Sequence, residues 1–202
     1  MRKVFIDIGS HVGQSIDQFY EEIPDAEDWK IYAFEPIQYD NLMRHVQVHY
    51  DNVVCLKAVV GIRDSETTIY PVPDGGQGAS VVSGKLTGGI QYEKGVAVRS
   101  IDFIQWFKAN IRSDDLVIVK VNIEGGEYEL MTRLCEIMPY IHGIWIKLHH
   151  LKFEQERKLE MLKVLETFRT KLSQFKTFVF LDTSEEPYRF AWLVEMANES
   201  YK

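Results

Sequence analysis

The sequence predicts an α/β domain built on a doubly wound, mostly parallel sheet, and three observations carry that prediction. Strand-like and helix-like hydrophobic patterns alternate through five successive βα units before two last strand-like runs at 175–181 and 190–196. The most apolar strand, Leu116-Val117-Ile118-Val119-Lys120-Val121, has the near-continuous Leu/Val/Ile character expected of a central parallel strand covered on both faces. The chain also opens on Val4-Phe5-Ile6-Asp7-Ile8, passes through Gly9-Ser10-His11-Val12-Gly13, and continues with apolar residues at Val12, Ile16, Phe19 and Ile23, which is a strand, a tight turn and an amphipathic helix.

The elements follow in order. The first helix is expected over 12–22, giving way before Pro24, whose ring disfavours helix in the residue ahead of it. Residues 29–34 alternate aromatic and apolar side chains and end on Glu35-Pro36, a second strand. A helix over 39–49 buries Leu42, Met43 and Val46, and 53–61 supplies strand three, with 67–72 as a short extra strand. Residues 73–95 then hold seven of the thirteen glycines (75, 76, 78, 84, 88, 89 and 95) along with Ser80, Ser83 and Thr87. A long glycine-rich loop after the ligand-side strands reads as a mobile flap. Asp102 is a suitable N-cap for a helix burying Ile104, Phe107 and Ile111. After the central strand comes a helix through Tyr128, Met131 and Leu134, then a strand at 142–148 and a helix at 154–172. The runs 175–181 and 190–196, separated by the polar turn 182–189, read as a terminal antiparallel hairpin.

At 202 residues with 46% hydrophobic content the chain suits a single domain with a sizeable core. A net charge of −7 with scattered Lys and Arg argues against broad attraction to nucleic acid or an anionic membrane. No apolar run has the length of a membrane span, and the first ten residues form a strand and not a signal peptide, so a soluble, cytoplasmic protein is expected. Cys55 and Cys135 lack CxxC spacing and read as buried reduced thiols. No metal site is expected, because His149-His150 point opposite ways on an extended segment and no further spaced ligand set accompanies them.

The candidate site gathers at the carboxyl ends of the first strands. Gly9 allows a sharp turn with close ligand approach, Gly13 lets the helix sit close on the sheet, and Asp7 can accept hydrogen bonds from a ligand's amine or hydroxyls. Glu35 closes strand two, which neighbours strand one in a doubly wound sheet, so it shares the rim with the Gly9 turn and can accept both hydroxyls of a ribose. Small Ala58 at the end of strand three reads equally as room for a flat base or as plain packing.

Asp7-Ile8-Gly9-Ser10-His11-Val12-Gly13-Gln14, Phe34-Glu35-Pro36, Ala58-Val59-Val60-Gly61, Lys120-Val121-Asn122-Ile123-Glu124-Gly125-Gly126-Glu127 and Leu148-His149 resemble, in the right order over nearly the whole chain, the successive motifs of the FkbM family of S-adenosyl-L-methionine-dependent methyltransferases. The resemblance implies a Rossmann-like class I methyltransferase fold with seven strands in the order 3-2-1-4-5-7-6, and O-methylation of a hydroxyl on a sugar or small natural product. It further implies that Asp7, Gly9, Ser10, His11 and Gly13 line the methionine end of the cofactor, that Glu35 with Pro36 grips the ribose, and that Ala58 flanks the adenine. Asn122 and Glu124 would then face the transferred methyl.

Three departures from the family pattern shape the expectation. Asn122 stands where an aspartate is usual, and an amide takes no proton, which leaves Glu124 or His149 as base or proximity alone. Lys147 replaces a common glutamate. The chain opens directly on strand one, so the flap, a second subunit or a partner is expected to hold the acceptor. Rival readings are a nicotinamide-dependent oxidoreductase, disfavoured by a GxxxG turn lacking the full GxGxxG; an RNA ribose 2′-O-methyltransferase, suggested by Lys120, Lys147 and Glu195 as strand-borne charges; and a module that binds cofactor without turnover.

Overall fold

In the computed structural model, which describes residues 1–73 and 77–201, the strands β1 (Lys3–Ile8), β2 (Trp29–Phe34), β3 (Val53–Leu56), β7 (Leu116–Val121), β8 (Gly143–Lys147) and β9 (Phe178–Asp182) form one sheet in the order β3-β2-β1-β7-β8-β9. All five neighbouring pairs are parallel. The period-two alternation of β1 divides its side chains between two cores. Val4, Ile6 and Ile8 pack with α3 (Phe103–Asn110), α4 (Glu127–Leu134) and α5 (Gln155–Leu172). Phe5 packs on the opposite face with α1 (Gln14–Glu22), α2 (Tyr39–His49) and α6 (Phe190–Ser200), stacking on Phe19 at 4.2 Å between ring centroids. Covering both faces explains why β7 is buried at all six positions and reads as an apolar run broken only by Lys120.

The expected terminal hairpin is replaced by a strand and a helix. β9 pairs parallel to β8, and residues 190–200 form α6, so the sheet has six strands and no antiparallel member among the described residues. Phe190, Leu193 and Ala197 recur at helical spacing and are buried, with Phe190 meeting Phe5 edge-on. A short run with apolar residues at almost every position has no period of its own, and its contact with Phe5 and Phe19 decides for helix. Glu195 accordingly lies on an exposed helical face and is not borne on a strand.

The single strand expected at 53–61 breaks at Lys57-Ala58. Its second half, β4 (Val59–Gly61), joins β5 (Ser65–Ile69) and β6 (Val96–Asp102) in a separate sheet of order β4-β6-β5, with β4 parallel and β5 antiparallel to β6. The glycine-rich segment follows β5 and is tied down at several points: Tyr70 and Ser80 exchange backbone hydrogen bonds (2.8 and 3.1 Å), Leu86 N donates to Lys152 O (2.8 Å), and Glu154 N donates to Gly84 O (3.0 Å). Glycines 75 and 76 lie outside the described residues. Asp102 caps α3 as expected, accepting from Gln105 N at 3.0 Å. Cys55 and Cys135 are free and half-buried. Among the described residues no helix is long and apolar enough to cross a membrane.

Candidate active site

The carboxyl ends of β1, β2 and β7 meet at one rim because the strands run parallel in register, with Ile8 opposite both Phe34 and Val121. Gly9 adopts φ +83°, and its N–H and that of Ser10 both donate to Phe34 O (3.0 and 3.1 Å). A Cβ on Gly9 would collide with the carbonyl oxygen of Asn122. The glycine is therefore demanded by the neighbouring strand end as well as by the turn. Gly13 has a different role from the one expected: at φ +109° it is the left-handed N-cap of α1, and a Cβ there would lie 2.8 Å from His45 Cδ2 on α2, so it clears a helix and not the sheet.

A cleft opens at this rim, walled by Gly9, Ser10, His11, Glu35 and Pro36 on one side and Asn122 and Glu124 on another, with Ala58 beside them. Glu35 is held from behind by three backbone amides: His11 N to Oε2 at 3.0 Å, Ile37 N to Oε1 at 2.8 Å, and Gln38 N to Oε1 at 2.9 Å. A carboxylate can accept about four hydrogen bonds, so a rigid acceptor with capacity to spare faces the cleft. The lining from β5 and the glycine-rich segment is mostly apolar, with Ile69, Pro71, Val72 and Val81 beside Gln77.

Asp7, Gly13 and His149 are not among the cleft walls. Asp7 is fully buried behind the Gly9 turn, where Oδ1 pairs with Lys120 Nζ at 2.8 Å and Oδ2 accepts from Ser15 Oγ at 2.6 Å. Lys120 also donates to Gly9 O at 2.8 Å. Burial by itself would lower the Lys120 pKa, but the Asp7 carboxylate outweighs it and the pKa is raised. Asp7 thus braces the turn and does not offer its oxygens to a ligand, because the buried ammonium beside it requires a counter-charge. Lys147 is likewise engaged, with Asp182 Oδ2 at 2.8 Å and Glu186 O at 2.9 Å.

Asn122 follows β7 and donates from Nδ2 to Tyr188 Oη at 2.8 Å, while its Oδ1 is buried with no hydrogen-bond partner. Glu124, at φ +50°, stands in a cluster of cations: Lys85 Nζ at 2.8 Å, Lys152 Nζ at 3.2 Å and His149 Nε2 at 3.3 Å. Burial opposes its ionisation, but His149 and Lys85 prevail and hold the carboxyl far below the usual carboxylate range. His149 Nδ1 faces Glu127 Oε1 at 3.0 Å, so both ring nitrogens meet carboxylates. Despite burial, which alone would lower it, Glu127 and Glu124 bring its pKa up to about 9. Glu124 and His149 were the expected bases. Each is engaged by opposite charge, which weakens Glu124 as a proton acceptor and favours the protonated form of His149. His150 Nδ1 bonds Tyr128 Oη at 2.7 Å and is structural.

The His149 pair predicts a pH dependence. Its folded pKa, about 9, lies above its ordinary 6.5, so the stabilisation is fully present below pH 6.5 and is lost as pH rises through 9. Urea midpoints of the wild-type chain should therefore fall across that window by the equivalent of roughly 3 kcal/mol. His149→Gln should be less stable at pH 6 and lack this decline; an unchanged slope in the variant would refute the assignment.

Two further residues line the cleft: Lys120, named from sequence only within the family motif and as a strand-borne charge, and Tyr188, which sequence reasoning passed over. Lys120 had a signal, a lone charge inside a continuous apolar strand, whereas Tyr188 sits in a polar loop that nothing local marks. Residues 7–176 match the family model of the methyltransferase FkbM domain. Comparison with curated proteins and with solved structures found no match.

Proposed function

The chain belongs to the methyltransferase FkbM domain family, and from that premise we propose that it uses S-adenosyl-L-methionine to methylate a hydroxyl on a small-molecule or glycan acceptor. The observation that carries the cofactor assignment is Glu35, a carboxylate fixed by three backbone amides at the cleft with acceptor capacity left over, which suits the adjacent hydroxyls of a ribose. Ala58 and Pro36 flank it with apolar surface for a flat base, and the main chain of Gly9, Ser10 and His11 would hold the amino-acid end. Asn122, which lines the same cleft, keeps a buried Oδ1 with no hydrogen-bond partner.

Bound there, the cofactor supplies a methyl carbon already activated by its sulfonium. The residues of this chain then need to align the nucleophile and exclude water, which suits a site whose nearest carboxylate is held ionised by Lys85, Lys152 and His149. The apolar wall of Ile69, Pro71, Val72 and Val81, with Lys120 bound to Asp7 and Lys85 to Glu124, favours an uncharged acceptor over a phosphate-bearing one. The same engagement of Lys120 and Lys147 counts against an RNA acceptor. A second reading, cofactor binding without turnover, draws support from Asn122 and from the protonated His149.

S-adenosylhomocysteine at about a hundred times its Kd should stabilise the protein by about 2.7 kcal/mol, or roughly 5–10 °C in Tm for a chain of this length, and NAD should leave Tm unchanged. The absence of a shift with S-adenosylhomocysteine would defeat the cofactor assignment. A labelled-methyl screen over glycans, small phenols and RNA, repeated with chelator, then separates the two readings: binding with no transfer to any acceptor selects the second.

A further inference from the structure

Tyr188 lies in the loop between β9 and α6, beyond the residues that match the family model, and its position is fixed from outside the cleft. Lys147 holds the loop through Glu186 O and Asp182, Gln18 donates to Tyr188 O, and the ring stacks on Phe190 (5.3 Å between centroids) and meets Trp145 edge-on at 5.5 Å. The ring also lies over the ammonium groups of Lys120 (5.3 Å) and Lys147 (5.4 Å). So restrained, the hydroxyl receives the Nδ2–H of Asn122 at 2.8 Å.

A carboxamide has two unlike ends. With the donor end of Asn122 taken by Tyr188, the acceptor end remains, an oxygen buried without a partner on a residue that lines the cleft. A buried acceptor left unmet is costly, so the site is completed by a ligand that brings an N–H or O–H to this point. We propose that Tyr188 is a positioning residue that locks the Asn122 amide with its oxygen toward the reacting groups, so that the site selects an acceptor hydroxyl which donates its hydrogen there and turns a lone pair toward the methyl. This inference rests on the methyl-transfer reading. It assigns a role to the loop following β9: the phenol oxygen holds the amide by its donor end, an end that a carboxylate lacks.

The test needs no acceptor. Sinefungin carries a protonated amine where the cofactor carries its methyl-bearing sulfonium, and S-adenosylhomocysteine carries neither group. Calorimetry on the whole chain should find sinefungin bound about tenfold or more tightly than S-adenosylhomocysteine, the yield of one hydrogen bond from a charged donor. Tyr188→Phe should reduce that preference to less than threefold while leaving S-adenosylhomocysteine affinity within threefold of wild type. Adding Asn122→Asp to Tyr188→Phe should restore the preference, because both carboxylate oxygens accept. A wild-type protein that binds S-adenosylhomocysteine without preferring sinefungin, or a preference that survives Tyr188→Phe, overturns this inference and leaves the cofactor reading standing. A wild-type protein that binds neither compound overturns both.

Discussion

Gly9→Ala is expected to destabilise the protein by about 3 kcal/mol or more and to abolish S-adenosylhomocysteine binding. At φ +83° an L-residue is strained by about 1–2 kcal/mol before any contact is considered. The added methyl would in addition overlap the carbonyl oxygen of Asn122 and lie 3.0 Å from its carbon. These are main-chain atoms of a residue whose own N–H is bonded to Ile8 O at 2.9 Å, so relief would require parting the ends of β1 and β7. The same shift would move Asn122 in the cleft and loosen the Gly9 and Ser10 amides from Phe34 O. Gly13→Ala, at φ +109°, is the informative comparison, since it shares the backbone strain but its methyl meets the His45 ring, held by Asp17 at 2.6 Å, and no main-chain atom. Denaturation midpoints and nucleoside binding should rank the two variants in that order. A Gly9→Ala protein unfolding within a few tenths of a kcal/mol of wild type would mean that the turn relaxes without cost.

The parts of this site that could be read from the sequence are those fixed by topology. Parallel strands adjacent in a doubly wound sheet bring their carboxyl ends together, so Gly9 and Glu35 are expected on one rim, and Asn122, named through the family resemblance, lines the same cleft. What pattern could not supply was pairing. Asp7 looked like a ligand-facing acid because its partner stands far away in sequence, although Lys120 is directly opposite it in the β1–β7 register. A lysine inside a fully buried strand needs a carboxylate, and only the register between the two neighbouring strands names which one. Glu124 and His149 were visible as titratable groups, but their protonation depends on Lys85 from the glycine-rich segment and on Glu127 from α4. Tyr188 was out of reach for a third reason. Its place depends on the chain after β9 entering a helix, and the apolar run beginning at Phe190 carries no period that separates helix from strand.

Lys120→Met should be the second severe substitution, costing about 3–5 kcal/mol, because it leaves the Asp7 carboxylate buried and uncompensated. In the wild-type chain that carboxylate has two supports, Lys120 Nζ at 2.8 Å and Ser15 Oγ at 2.6 Å, and neither side chain of the ion pair has meaningful solvent contact. A single hydroxyl does not offset a buried negative charge. The substitution also withdraws the hydrogen bond to Gly9 O, so the loss reaches the turn that shapes the cleft. Methionine nearly matches the lysine stem in volume, which separates the charge effect from a packing effect. The decisive comparison is therefore the double variant with Asp7→Asn. With the charge removed from both partners, most of the lost stability should return, giving a coupling energy of at least about 2 kcal/mol in the cycle with the two single variants. Urea denaturation of the four proteins measures it. A Lys120→Met protein within 1 kcal/mol of wild type, or losses that simply add, would mean that the pair is solvated and that the Gly9 turn is held by its backbone alone.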